Sequence, residues 1–239
     1  MTMSRIDIDL YLTGEGAHRV SIPESAIQTA LQQCGHWQST DPLNVPTTAL
    51  LVVDMQNAFV AADNPTSVPA ASRIIPNINQ LARAVRAQGG LVVWLRMASL
   101  PGDWSTLYDS FLPDVRDSVR DLLKPGNAGH RLHEQMEVQH ADVILDKTRF
   151  SAFIGPSSEL DSVLRKRRIE TLIVTGTLSN VCCESTARDG MMLNYRVIFV
   201  SDANAAPNDE LHNATLVNII RVFGTVSPTN SILRRLGLS

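Results

Sequence analysis

The sequence predicts an α/β fold: a doubly wound, mostly parallel sheet of about six strands with helices on both faces. This Rossmann-like three-layer α/β/α body is expected to form a single domain with an N-terminal arm. Three observations lead there. Short apolar runs rich in Val, Ile and Leu recur at 49–53, 91–95, 141–145, 171–175, 196–200 and 224–226. They are continuous rather than alternating, as strands buried on both faces of a parallel sheet are. Segments of helical periodicity lie between most of them, and that alternation implies crossovers that cover the sheet on both sides.

Residues 1–46 are the arm. Ile6, Ile8, Leu10 and Leu12 alternate with polar residues, which suits a strand or extended segment. Residues 23–34 suggest a short helix, and 35–46 are turn-rich, with Pro42 and Pro46. The body, 47–239, opens with a strand that ends in Asp54, so a carboxylate is delivered at its carboxyl end. A helix is predicted over 76–88, with Pro76 suited to the first helical position and Gly89-Gly90 closing it. The second strand runs into Leu95-Arg96-Met97-Ala98. Residues 97–113, with Pro101, Gly102, Trp104 and Tyr108, suggest a long loop of the kind that carries function.

A short helix is expected over 115–123, and 125–129 break it. The third strand leads to Asp146, Lys147, Thr148, Arg149 and Phe150, followed by a helix over 157–168. After the fourth strand Gly176 interrupts the run, and a helical pattern extends from Val181 to about Asn194. The fifth strand ends in Ser201-Asp202-Ala203. Helices are expected over 209–222 and 232–236, flanking the short sixth strand.

Charge and composition narrow the function. A net charge of −3, with its one dense basic run (165–168) on an amphipathic helix, argues against nucleic acid as a partner. The first residues are too polar for a signal peptide, and no apolar run approaches membrane-spanning length. Three cysteines, two of them adjacent, make no disulfide framework and point to a reducing, cytoplasmic setting.

Cys182 falls where a strand turns into a helix. The first N–H groups of a helix lack internal partners and carry partial positive charge, so a thiol there is expected to titrate below the free value of roughly 8.5. The same groups can hydrogen-bond a forming oxyanion. Cys182 and Cys183 could equally be small buried hydrophobes, the usual fate of cysteine. Two further residues bear on this. Ligands of doubly wound sheets bind beyond the carboxyl ends of the strands, and Asp54, Lys147 and Cys182 all fall there. A carboxylate to take the thiol proton and an ammonium to favour the thiolate make a coherent set for nucleophilic catalysis.

The motifs ALLVVDMQNAF (49–59), DKTRFSAF (146–153), TGTLSNVCCESTARDG (175–190) and YRVIFVSDANAA (195–206) carry a resemblance. From about residue 47 onward the chain resembles the isochorismatase-like cysteine hydrolases. Within them it is similar to the amidohydrolase branch of ureidoacrylate, biuret and carbamoylsarcosine hydrolases. The resemblance implies that Asp54 is the general base, Lys147 the supporting cation and Cys182 the nucleophile. The family's cysteine follows an Asn-Val pair, here Asn180-Val181, so Cys183 is expected in the core. It also implies a cis peptide between Thr177 and Leu178, with the N–H groups of Leu178 and Cys182 forming an oxyanion hole.

The reaction implied is hydrolysis of a C–N bond in a small amide, ureido or carbamoyl compound through a thioester, without cofactor. Gln56, Asn57, Phe59, Trp104, Arg149 and Phe150 are expected to line the pocket. Nicotinamidase-like relatives carry an Asp-x-His metal cluster after the second strand. The corresponding Leu95-Arg96-Met97-Ala98 has no histidine, so no metal is expected, and His130 and His133 are taken as surface loop residues. The expected partners are a small-molecule substrate and further copies of the chain, as a homodimer or homotetramer. Two rival readings are vinyl-ether hydrolysis relying on Asp54, as in isochorismatases that lack the cysteine, and a non-catalytic binding or redox role for Cys182-Cys183.

Overall fold

The computed structural model describes residues 17–35, 41–102 and 104–238. The extended segment expected around Ile6 to Leu12 lies outside them. One sheet organises the rest: β1 (Thr48–Val53), β2 (Leu91–Met97), β3 (Val143–Lys147), β4 (Thr171–Thr177), β5 (Arg196–Ala205) and β6 (Thr225–Ser227). Its order is β3-β2-β1-β4-β5-β6, and every pairing is parallel. The helices are α1 (Glu24–Cys34), α2 (Asn57–Val60), α3 (Ile75–Ala87), α4 (Ser105–Tyr108), α5 (Pro113–Leu122), α6 (Leu160–Lys166), α7 (Glu184–Met192), α8 (Asp209–Asn218) and α9 (Thr229–Arg235).

The continuous apolar runs are explained by burial on both faces. Along β1, Leu50 and Val52 point into one core with α3 and α9, while Ala49, Leu51 and Val53 point into the other with α1, α6, α7 and α8. On α3 the buried residues Ile78, Leu81, Ala82 and Val85 follow the helical period and lie on one stripe. Each large aliphatic side chain buried in this way contributes roughly 1.5–3 kcal/mol. The arm's helix α1 is part of the body, because Ala26, Ile27 and Ala30 complete the second core.

Three elements differ from expectation. First, β5 continues to Ala205 instead of stopping near Val200, because its register against β4 shifts: Val174 pairs with Phe199, but Gly176 pairs with Asn204. Asn204 Nδ2 donates to the Val174 and Val200 carbonyls at 2.9 and 2.7 Å, satisfying groups that the irregularity removes from the ladder. Second, the long loop after β2 contains α4. Third, the helix expected from Val181 begins with a π turn, Ser179–Cys183, and α8 ends in another, Ile219–Phe223. Single π turns are frequent at functional sites.

The winding reverses between β1 and β4, and in such sheets the crevice at that switch point takes the ligand. Gly176 lets the two strands close there. Its φ is +115°, and a Cβ would stand 2.1 Å from the Val53 carbonyl oxygen, directly before Asp54. No helix among the described residues is long and apolar enough to cross a membrane.

Candidate active site

Asp54 leaves β1 with φ 52°, a left-handed turn that Asp tolerates better than most residues. Its N–H donates to the Leu95 carbonyl at 2.9 Å, and its own carbonyl accepts from Thr177 Oγ1 at 3.2 Å. Lys147 closes β3, in register with Met97. Since β2 separates β3 from β1, the long lysine stem must reach past Met97 to arrive at Asp54. Its Nζ lies 2.8 Å from Asp54 Oδ2, donates to the Arg149 carbonyl at 3.2 Å and sits 3.5 Å from Met97 Sδ. Cys182 belongs to the π turn, which is drawn tight by the Val181 and Cys183 N–H groups donating to the Leu178 carbonyl at 3.1 Å each. The Thr177–Leu178 peptide is cis. Asp54, Lys147 and Cys182 are all buried, Cys182 with 4% residual exposure.

The electrostatics follow from one cation in a dry site. Burial raises the Asp54 pKa, and the pull of Lys147 and Cys182 does not cancel it. Burial alone would lower Lys147, but Asp54 and then Cys182 outweigh that and raise it, so it stays an ammonium. Cys182 is pushed up by burial and by the Asp54 charge against the opposing pull of Lys147. The expectation of a lowered thiol pKa is therefore reversed. One buried ammonium faces two acidic groups, and burial raises both of them, which favours the neutral thiol. Asp54 faces Lys147 Nζ at 2.8 Å, the Cys182 thiol and the Met97 backbone, so it stands where it can exchange a proton with the sulfur. Cys183 is fully buried in the second core, with Sγ 3.9 Å from the Thr175 carbonyl oxygen.

The six residues expected to line the pocket divide into two groups. Gln56 is fully buried: Nε2 donates to the Met97 and His130 carbonyls at 3.0 and 2.9 Å, and Oε1 accepts from the Met97 N–H at 2.7 Å. Asn57 Nδ2 donates to the Ala128 carbonyl at 3.0 Å, and Phe59 packs in the first core. Both polar ends of the Gln56 amide are thus engaged with backbone groups, and Phe59 is part of the core. Trp104, Arg149 and Phe150 do come together. The Trp104 and Phe150 rings meet edge to face with centroids 4.5 Å apart, and the Arg149 guanidinium lies 5.1 Å from the Trp104 ring centre. The Arg149 carbonyl on Lys147 ties this group to the Asp54–Lys147 pair.

His130 is a correction. It is buried, not superficial, with Nε2 3.1 Å from Asp146 Oδ1, and burial lowers its pKa against the opposing pull of Asp146. The loop carrying it folds back over the strand ends, where Leu132 bridges Gln56. Sequence reasoning also passed over Ser179 and His212, which are fully buried and meet at 2.8 Å behind the cysteine turn. Nothing in the sequence links two residues 33 positions apart.

A cleft of about 710 Å³ opens at the opposite, amino edge of the sheet, lined by Thr171, Arg196 and Thr225 among others. A cavity of about 450 Å³ lies at the carboxyl end of β3, bordered by Ala98, Asp146, Thr148, Arg149 and Ser157. Neither is lined by Asp54, Lys147 or Cys182.

Comparison with known proteins places this geometry among relatives. The isochorismatase domain profile matches residues 48–231, a span that includes Asp54, Lys147 and Cys182. A ureidoacrylate amidohydrolase of Klebsiella pneumoniae subsp. pneumoniae is 35% identical over 205 residues, covering 79% of this chain and 86% of that protein. Among solved structures, a cysteine hydrolase from Pseudomonas syringae pv. phaseolicola superposes with a TM-score of 0.76 at 34% identity, over 82% of this chain and 95% of that one. An N-carbamoylsarcosine amidase from Thermoplasma acidophilum gives 0.64 at 29% identity, over 77% and 97%.

Proposed function

The chain belongs to the isochorismatase domain family, and from that membership we propose that it is a cysteine amidohydrolase acting on a small amide, ureido or carbamoyl compound. The observation that carries the reading is the Asp54–Lys147 contact of 2.8 Å beside Cys182 at the switch point of the sheet. The relatives named ureidoacrylate amidohydrolase and N-carbamoylsarcosine amidase support C–N hydrolysis as the class of reaction.

Asp54 takes the Cys182 proton as sulfur attacks the substrate carbonyl. The N–H groups of Leu178 and Cys182 receive the resulting oxyanion. Asp54 then returns the proton to the departing nitrogen, the C–N bond breaks, and an acyl thioester remains on Cys182. Water, deprotonated by the same carboxylate, hydrolyses the thioester and restores the thiol. Lys147 holds Asp54 in place and keeps the anionic states affordable in a buried site. Trp104, Arg149 and Phe150 supply the substrate wall. No step calls on a metal.

The test is an ammonia-release screen over small amides, ureides and carbamoyl compounds, repeated with Cys182→Ala and Asp54→Ala. Loss of activity in both variants is expected. Activity retained by Cys182→Ala but lost in Asp54→Ala would shift the reading to chemistry run by the aspartate alone.

A further inference from the structure

Behind the turn that carries Cys182 lies a buried polar chain that the proposed reaction does not use. Ser179 Oγ is 2.8 Å from His212 Nδ1, and His212 Nε2 is 3.0 Å from the Ser201 carbonyl oxygen. A carbonyl only accepts, so Nε2 carries the ring proton and donates it. Nδ1 is then an acceptor, and the Ser179 hydroxyl donates to it. Burial, with the neighbouring His18 second, holds the His212 pKa down to about 3, so the ring stays neutral and this polarity persists near neutral pH. The ring is also held from its face: His18 stacks on it with centroids 4.5 Å apart. His18 is anchored in turn, with Nδ1 2.8 Å from Asp209 Oδ1 and Nε2 accepting from the Ala206 N–H at 3.0 Å.

We propose that Ser179 and His212 are positioning residues for the nucleophile turn. The proposal rests on Cys182 being the nucleophile. Ser179 opens the π turn and directly follows Leu178, whose carbonyl gathers the Val181 and Cys183 N–H groups. A hydroxyl tied to an immobile ring pins the Leu178–Ser179 peptide from outside the turn. The direction of the Cys182 side chain depends on that peptide, because its carbonyl holds the N–H groups on either side of Cys182. A fully satisfied polar chain in a dry interior specifies one arrangement where an apolar filler would tolerate several.

Three variants test this. Ser179→Ala removes the donor. His212→Asn places an amide oxygen near the Nδ1 position and keeps the acceptor for Ser179, while His212→Gln keeps only the donor toward Ser201. Two readouts are needed: kcat and KM on the best substrate of the screen, and the ratio of iodoacetamide labelling at Cys182 to that at Cys183 without substrate. Ser179→Ala and His212→Gln are expected to lose about tenfold in kcat with KM within about twofold, and about tenfold in labelling ratio. His212→Asn is expected to stay within about threefold of the parent on both. A merely structural role would lower the melting temperature and the activity of the two His212 variants alike.

Parental kcat and labelling in Ser179→Ala, or equal losses in His212→Asn and His212→Gln, would overturn the proposal. Should Ser179→Ala fail to fold, the His212 pair decides. If no amide is hydrolysed but the labelling pattern holds, the positioning role stands and the assigned reaction falls. Equal labelling of Cys182 and Cys183 in the parent protein would remove both.

Discussion

Asp54 and Asp142 each meet a cation at 2.8 Å, Lys147 and Arg86 respectively, and both are largely or wholly removed from solvent. Asp142 is saturated. It accepts from Arg86 Nε and Nη2 and from Trp94 Nε1 at 2.8 Å, and from the Gln139 N–H at 2.9 Å. Burial pushes its pKa up, but the bonds from Arg86, Gln139 and Trp94 outweigh that and hold it below the ordinary carboxylate value. Asp54 is pulled down by Lys147, by the Cys182 thiol and by the Met97 backbone, but burial outweighs them and raises it. Two ion pairs of equal length thus do different things. The balance between burial and bonds to the anion separates them: bonds win at Asp142 and burial wins at Asp54, whose higher proton affinity suits the base that we propose.

The largest expected difference is in turnover. Asp54→Asn, like Cys182→Ala, should cut kcat/KM by about 10³-fold or more, whereas Asp142→Asn should stay within about threefold. Comparable losses at the two aspartates, read by steady-state kinetics, would erase the distinction.

Stability should show the opposite order. Asp142→Ala strands Arg86, Trp94 Nε1 and the Gln139 N–H, and is expected to cost about 3–5 kcal/mol in denaturant unfolding. Replacing the other pair whole, Asp54→Asn with Lys147→Met, should leave stability within about 1 kcal/mol of the parent or raise it while abolishing activity. A double variant as unstable as Asp142→Ala would make both pairs structural.

The pH profile sharpens the contrast with a smaller effect. The mechanism that we propose requires ionised Asp54, so activity should fall as pH drops through a folded pKa that lies above 3.8. Lys147, raised above 10.5, should not limit activity on the alkaline side below about pH 10. Asp142 runs the other way: its folded pKa is below 3.8, so its stabilisation is present above that value and is lost on further acidification. An acid limb of kcat/KM at or below pH 3.8 would count against Asp54 as the base.

Much of the fold was legible because local pattern and burial agree. The runs at 49–53, 91–95 and 171–175 sit within β1, β2 and β4, since a strand covered on both faces must be apolar throughout. Pro76 and Gly89 bracket α3 for reasons that act within a few residues. The end of β5 was not legible, because it depends on Asn204 reaching the Val174 carbonyl of another strand. His130 was misjudged, and the burial of Gln56 was not legible, for the same kind of reason. A glutamine beside a strand end and a histidine in a loop look available until the loop folds back and engages them.

By itself the sequence determined the parallel α/β architecture and the three residues whose strand ends share one edge, because side-chain period and strand polarity are local properties. Only the tertiary structure decided the charge state of that edge. Packing excluded water from Asp54, Lys147 and Cys182 together, and that burial raises the proton affinity of both the carboxyl and the thiol around one ammonium. Only the fold, too, brought Ser179 against His212, since contact between distant residues follows from how helices dock on the sheet.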